Sequence, residues 1–113
     1  MADSVHDLYN QGEKLKDQGN YPEAIEKFEQ AVAADETFAL AHFALAVACG
    51  KIGQHEKAVM HAERACQLEP GDPFSYTALS VTYQRAFAGT QDRRYIHMAE
   101  DAMARAHALQ AGM

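Results

Sequence analysis

Basic residues are outnumbered in this chain: ten Lys and Arg stand against sixteen Asp and Glu, for a formal net charge of −6. That balance argues against nucleic acid or an anionic membrane as the main partner. Long hydrophobic runs are missing as well. The longest, Phe38 to Cys49, is interrupted by His42 and falls short of the ~20 residues a bilayer crossing needs, so no membrane insertion is expected. The opening Met-Ala-Asp-Ser has neither a basic segment nor an apolar stretch, so no secretory signal is expected. Cysteine is limited to Cys49 and Cys66, each inside a helical pattern, which points to a reduced, cytoplasmic protein with two packed thiols. Proline is limited to three positions, β-branched residues are few and alanine is abundant, a composition that leans helical.

What is present is a period. Shifted by 34, Gly19 falls on Gly53, Ala24 on Ala58, Ile25 on Val59, Glu29 on Glu63 and Ala31 on Ala65. A second shift of 34 carries Ala44, Leu45 and Val47 onto Ala78, Leu79 and Val81. A fixed period in this range marks stacked repeats, in which no unit buries its own apolar face and neighbours must stack to make a core. The 113 residues suffice for one domain with a core, and we expect a single domain over 1–113 with repeats at about 5–38, 39–72 and 73–110. Charge is uneven along it: residues 5–38 net −5, residues 39–72 net −1 and residues 73–113 net +1.

Six amphipathic helices are predicted, with no strand. The first starts at the capping Ser4 and ends at Gly19-Asn20, and Pro22 then opens a second that runs to about Ala34. A third covers Phe38 to Lys51 and stops at Gly53, and a fourth covers His55 to Leu68. Pro70-Gly71-Asp72-Pro73 is a turn. A fifth helix runs from Pro73 to Phe87 or Ala88, broken at Gly89-Thr90-Gln91-Asp92, and a sixth runs from Arg93 to Gln110. In the third repeat the second helix matches only at a shift of 41, with Ala58 on Ala99, Arg64 on Arg105 and Leu68 on Leu109. About seven residues are therefore inserted near Phe87–Arg94, which should lengthen both helices and their loop.

These residues resemble tetratricopeptide repeats, helix-turn-helix units of 34 residues. In the first repeat the pattern is carried by Gly12, Leu15, Gly19, Tyr21, Ala24, Phe28 and Ala31. In the second it is carried by Ala46, Cys49, Gly53, His55, Ala58, Ala62 and Ala65, closed by Pro70. In the third, Leu79, Ser80 and Tyr83 fit, then Ala99, Met103 and Ala106 after the insertion. The resemblance implies an all-α fold, an α-solenoid of three antiparallel helix pairs in a right-handed superhelix, and a job in binding other proteins.

Catalytic and metal chemistry find little footing. The six histidines include His42 and His61 in one repeat with Cys49 and Cys66, but none makes a tight ligand pair on one helix face, so packing is expected rather than a metal site. Ser75 and Ser80 lie within a helix without a nucleophile elbow, and Gly50 and Gly53 are helix-end glycines, not a phosphate loop. No enzyme activity and no cofactor are expected.

The resemblance places the first helix of each repeat on a concave face. The inward positions would be His6, Tyr9 and Glu13, then Leu40, Phe43 and Val47, then Phe74, Thr77 and Val81, with Gln84 adding a hydrogen bond at the edge and Lys16 and Arg85 setting orientation. Some relatives grip the carboxylate of heat-shock chaperone tails there with Lys, Asn and Arg, but the matching positions hold Tyr9, Glu13, Ala44, Phe74 and Ala78. At the other end Tyr95, Ile96, Met98 and Leu109 offer apolar surface without a following helix, so a homo-oligomer is a candidate state. The expected function is a scaffold or adaptor that binds an apolar or amphipathic segment of a partner protein or peptide in the groove. Two alternatives stay open: a self-associating structural module, and a small chaperone shielding an apolar client segment.

Overall fold

The computed structural model describes residues 3–112, and all of their regular structure is helical. Six helices follow one another: α1 (Val5–Asp17), α2 (Tyr21–Ala34), α3 (Ala39–Lys51), α4 (His55–Leu68), α5 (Pro73–Thr90) and α6 (Arg94–Ala111). Each packs on its neighbours in the chain, and α3 also meets α1 and α5. The result is an all-α helical-repeat solenoid, 44 × 34 × 20 Å across.

The period comes from a turn used twice. Gly19 and Gly53 stand at φ +80° and +82°, where a side chain would be strained and glycine is not. Beyond each glycine the chain turns back so that Asn20 N–H donates to the Leu15 carbonyl and Gln54 N–H to the Cys49 carbonyl, both at 2.9 Å. These bonds satisfy carbonyls that the helix end would otherwise leave bare. Starts are fixed as locally. Ser4 Oγ accepts from Asp7 N–H while the Asp7 carboxylate accepts from Ser4 N–H, a reciprocal cap. Asp72 Oδ1 accepts from Phe74 N–H, and Pro73 fills the first position of α5, where no N–H is needed.

Small residues set the spacing between helices. Ala24, Ala58 and Ala99, related by the two shifts, are all buried. Gly12 lies so close to the buried Phe28 ring that a Cβ there would stand 2.5 Å from it. Around these contacts the core divides into three patches: Leu8, Ala31 and Ala41; Phe28, Leu45 and Cys49 with their alanines; and Val59, Leu79 and Tyr83 with Ala99 and Ala102.

The third pair departs from the predicted break. Gly89 and Thr90 remain helical, and α5 ends on Gln91 at φ +62°, whose N–H donates to the Phe87 carbonyl at 2.7 Å. Gly89 is not a stop signal. The His55 ring of α4 sits where its Cβ would be, so the missing side chain admits a neighbour. The insertion lengthens α5 and α6 to 18 residues each, against 13 and 14 for α3 and α4. Contrary to expectation the loop gains nothing: 91–93 is as short as 18–20 and 52–54.

Candidate functional site

A groove runs along the first helices of the three pairs. Its larger hollow, near 460 Å³, lies between Leu40, Phe43 and Val47 of α3 and Phe74, Ala78 and Val81 of α5. A smaller hollow continues it between the same α3 residues and Tyr9, Glu13 and Lys16 of α1. Helix α3 explains the arrangement. Its sequence is apolar nearly all round, and Ala41, Ala44, Leu45, Ala48 and Cys49 are consumed by the neighbouring helices. What remains is a strip, with Phe43 and Val47 half-buried and Leu40 58% exposed. Opposite stands Phe74, 75% exposed, at the start of α5.

Each hollow also carries charged side chains. Glu13 and Lys16 pair at 3.2 Å beside Tyr9, and burial together with the Glu13 carboxylate pushes the Tyr9 phenol above its usual pKa. Asp72, at the start of α5, and Arg85, further along the same helix, line the larger hollow. Tyr9 is half-buried against the rings of Phe28 and Phe38, with centroids 5.9 and 5.4 Å away.

The structure brings together Tyr9, Glu13, Leu40, Phe43, Val47, Phe74 and Val81. It does not bring in Thr77 or Gln84. The groove stripe of α5 is Phe74, Ala78, Val81 and Arg85, so Phe74, Val81 and Arg85 lie where expected while Ala78 stands in place of Thr77. The Thr77 hydroxyl donates back to the Pro73 carbonyl, and Gln84 lies over a separate hollow between α5 and α6, donating to Ser80 Oγ at 3.2 Å. His6 does not line the groove either; its ring meets Phe38 edge-on at 5.2 Å.

The candidate self-association residues also separate. Tyr95 and Met98 are partly buried against the core, Tyr95 stacking on Tyr83 at 6.1 Å. Ile96, 37% exposed, opens onto the hollow that holds Gln84, and Leu109 is half-buried.

One constellation was not foreseen. His42 and His61, on the facing helices of the second pair, meet at 3.1 Å between their Nδ1 atoms, 4% and 8% exposed. His42 Nε2 lies 2.9 Å from the Glu36 carbonyl, which can only accept, so this nitrogen carries the hydrogen. That leaves His42 Nδ1 to accept from His61 Nδ1–H, a chain satisfied with both rings neutral. Burial, with the neighbouring His42 and Lys57, lowers the His61 pKa to about 4. Among the described residues no third His, Cys, Asp or Glu joins such a cluster, and no helix is long and apolar enough to cross a membrane. Both thiols are buried; Cys66 donates to the Ser75 carbonyl at 3.2 Å, and burial lifts its pKa to about 11, so neither is placed to act as a nucleophile.

Stacked helix pairs, turning on left-handed glycines and lining one face with their first helices, define a helical-repeat protein with an open groove. A family model described as "TPR repeat" matches residues 12–53, and a second described as "Tetratricopeptide repeat" matches residues 39–72. The chain belongs to the tetratricopeptide repeat family. Among solved structures, the second TPR of Spaghetti (RPAP3) bound to the HSP90 peptide SRMEEVD is similar over 94% of this chain and 92% of its own, with TM-score 0.77 and 23% identity. MamA is similar with TM-score 0.82 and 19% identity over 96% of this chain, and YrrB, a TPR protein with an unusual peptide-binding site, with 0.80 and 18% over 97%. This chain spans 60% and 53% of the length of those two. At these identities the likeness concerns the fold. No curated protein matches the chain.

Proposed function

We propose that this chain is a protein-interaction scaffold whose groove binds an apolar or amphipathic segment of another protein. The observation that carries the reading is the apolar centre of the groove: Leu40 and Phe74 stand open to solvent across it although neither is needed to close the core. A large aromatic left in a concave site is the usual carrier of binding energy, ~2 kcal/mol or more once a partner covers it. The Spaghetti and YrrB structures, with a bound peptide and a peptide-binding site, support a peptide as the kind of ligand.

The groove favours a different peptide from the acidic SRMEEVD. Positions expected to clamp a carboxylate hold Tyr9, Glu13, Ala44, Phe74 and Ala78; none carries a cation, and Glu13 repels one more negative charge. The test is fluorescence anisotropy with two labelled peptides, an amphipathic helix with Leu and Phe on one face and SRMEEVD itself. The apolar helix should bind with weak salt dependence, because most of the larger hollow's lining holds no charge to screen. Leu40→Glu combined with Phe74→Glu should abolish that binding and leave the melting temperature close to wild type, since both side chains are exposed. Tight, salt-sensitive binding of SRMEEVD, or apolar binding that survives the double substitution, refutes the reading.

A further inference from the structure

The open end of the third helix pair holds a hollow near 480 Å³ between α5 and α6. Its floor is small: Ser80, whose hydroxyl donates to the Ala99 carbonyl at 2.8 Å, and Ala99 itself. Its walls are Phe87, Ile96 and Met103, and Gln84 and Glu100 form the rim. One repeat earlier the matching face is covered. Ala46 and Ala62, which the shifts of 34 and 41 carry onto Ser80 and Met103, are buried in one core patch with Leu79 and Tyr83 of α5. The hollow is thus the next position of an interface the fold has already used between its pairs.

Head-to-tail stacking of copies does not supply the cover. The positions of α1 that match Ser75 and Leu79 of α5 hold Asp7 and Gln11, and Gln11 is hydrogen-bonded to Asp3 at 2.8 Å. Placing these polar groups over Phe87, Ile96 and Met103 would desolvate them without partners. The same end of a second copy is apolar, and its charges are self-complementary. Arg93, which caps the start of α6, precedes Ile96 by one turn and Glu100 follows it by one turn, and neither Arg93 nor Glu100 makes an ion pair among the described residues. With two α6 helices antiparallel about Ile96, each Arg93 faces Glu100 of the partner subunit. The net −5 of residues 5–38 then lies at the two far ends, and the net +1 of residues 73–113 at the junction.

We propose that this end face is a dimer interface, covered by a second copy of the chain around a two-fold axis at Ile96, with Arg93 and Glu100 pairing reciprocally. The groove between α1, α3 and α5 stays open in that assembly. The experiment is sedimentation equilibrium of the full chain up to about 100 μM, where mass action exposes weak dimers. Wild type should dimerise and Ile96→Asp should be monomeric. Arg93→Glu and Glu100→Arg should each weaken the dimer at least about tenfold, because each turns two attractions into two repulsions. The double variant Arg93→Glu/Glu100→Arg should regain wild-type affinity. A wild-type monomer throughout overturns the proposal and leaves the hollow to a different helix. So does a dimer indifferent to Ile96→Asp, or single reversals that the double does not rescue. Should Ile96→Asp fail to fold, the charge series still decides, since Arg93 and Glu100 are exposed.

Discussion

Acid should destabilise this protein in large part through one buried ring. His61 is neutral and buried against His42, and its pKa is lowered to about 4 from the ordinary 6.5, so the folded state takes up its proton later than the unfolded chain does. Between those two values the unfolded state binds more protons, and stability falls as pH falls. The sign is therefore fixed: the contribution is complete above pH 6.5 and lost as pH drops through 4. A shift from 6.5 to about 4 corresponds to about 3 kcal/mol over that window, a large share of a small domain's stability. The charged neighbours divide: Lys57 opposes protonation of His61, Glu29 favours it, and the Glu36 carboxylate, 3.8 Å from His42 Nε2, is held below its usual pKa chiefly by Arg64. Histidine ring NMR across pH 8 to 4 measures the midpoint directly and identifies the tautomers, with the hydrogen on Nδ1 of His61 and on Nε2 of His42. Urea denaturation at the same pH values should show the matching loss of stability, and His61→Leu should flatten it. A His61 midpoint near 6.5, or a wild-type pH slope unchanged in His61→Leu, refutes the reasoning.

Three substitutions probe the turns and close approaches, each read as a change in urea midpoint. Gly12→Ala drives a methyl into the Phe28 ring, which is fully buried and has no room to retreat; a loss of about 1–3 kcal/mol is expected. Gly53→Val places a β-branched residue at φ +82° in otherwise open space, so a loss of about 1–2 kcal/mol should come from the backbone alone. Gln91→Gly relieves the left-handed position at φ +62° at some cost in chain entropy, so stability should hold or rise by up to about 1 kcal/mol; a clear loss would show that the Gln91 amide bond to the Ala88 carbonyl matters more than the strain.

The period, the six helices and the glycine turns were legible because each has a local cause: a left-handed glycine, a capping side chain, a proline at a helix start. The end of α5 was not. Glycine reads as a stop in sequence, whereas Gly89 owes its identity to the His55 ring, 34 residues away and visible only once α4 and α5 are packed. The α5 face of the groove was legible to within one step. Positions 77 and 78 flank the same stripe, and the packing of α3 and α6 decides which turns inward. The histidine pair carried a signal that went unused: two rings of one repeat on either side of the turn at Gly53, His42 at the position of Leu8, face each other when the helices fold back.

The division of labour between residue sizes explains why such a scaffold can change partners without changing fold. The separation of helices is set by small side chains, Gly12 under Phe28 and the alanines at 24, 58 and 99, and these positions follow the repeat. The groove positions do not. At the shift of 34, Glu13 is followed by Val47 and Val81, and His6 by Leu40 and Phe74. Side chains that close no core are free to differ between repeats, and here they pass from Tyr9, Glu13 and Lys16 beside α1 to a mainly apolar set between α3 and α5, with Asp72 and Arg85 its charged members. On the proposed function, stability and recognition are carried by separate sets of residues. A groove substitution that leaves melting unchanged and removes binding is the behaviour this separation requires, whereas one that lowers both would mean that Leu40 and Phe74 hold the stack together.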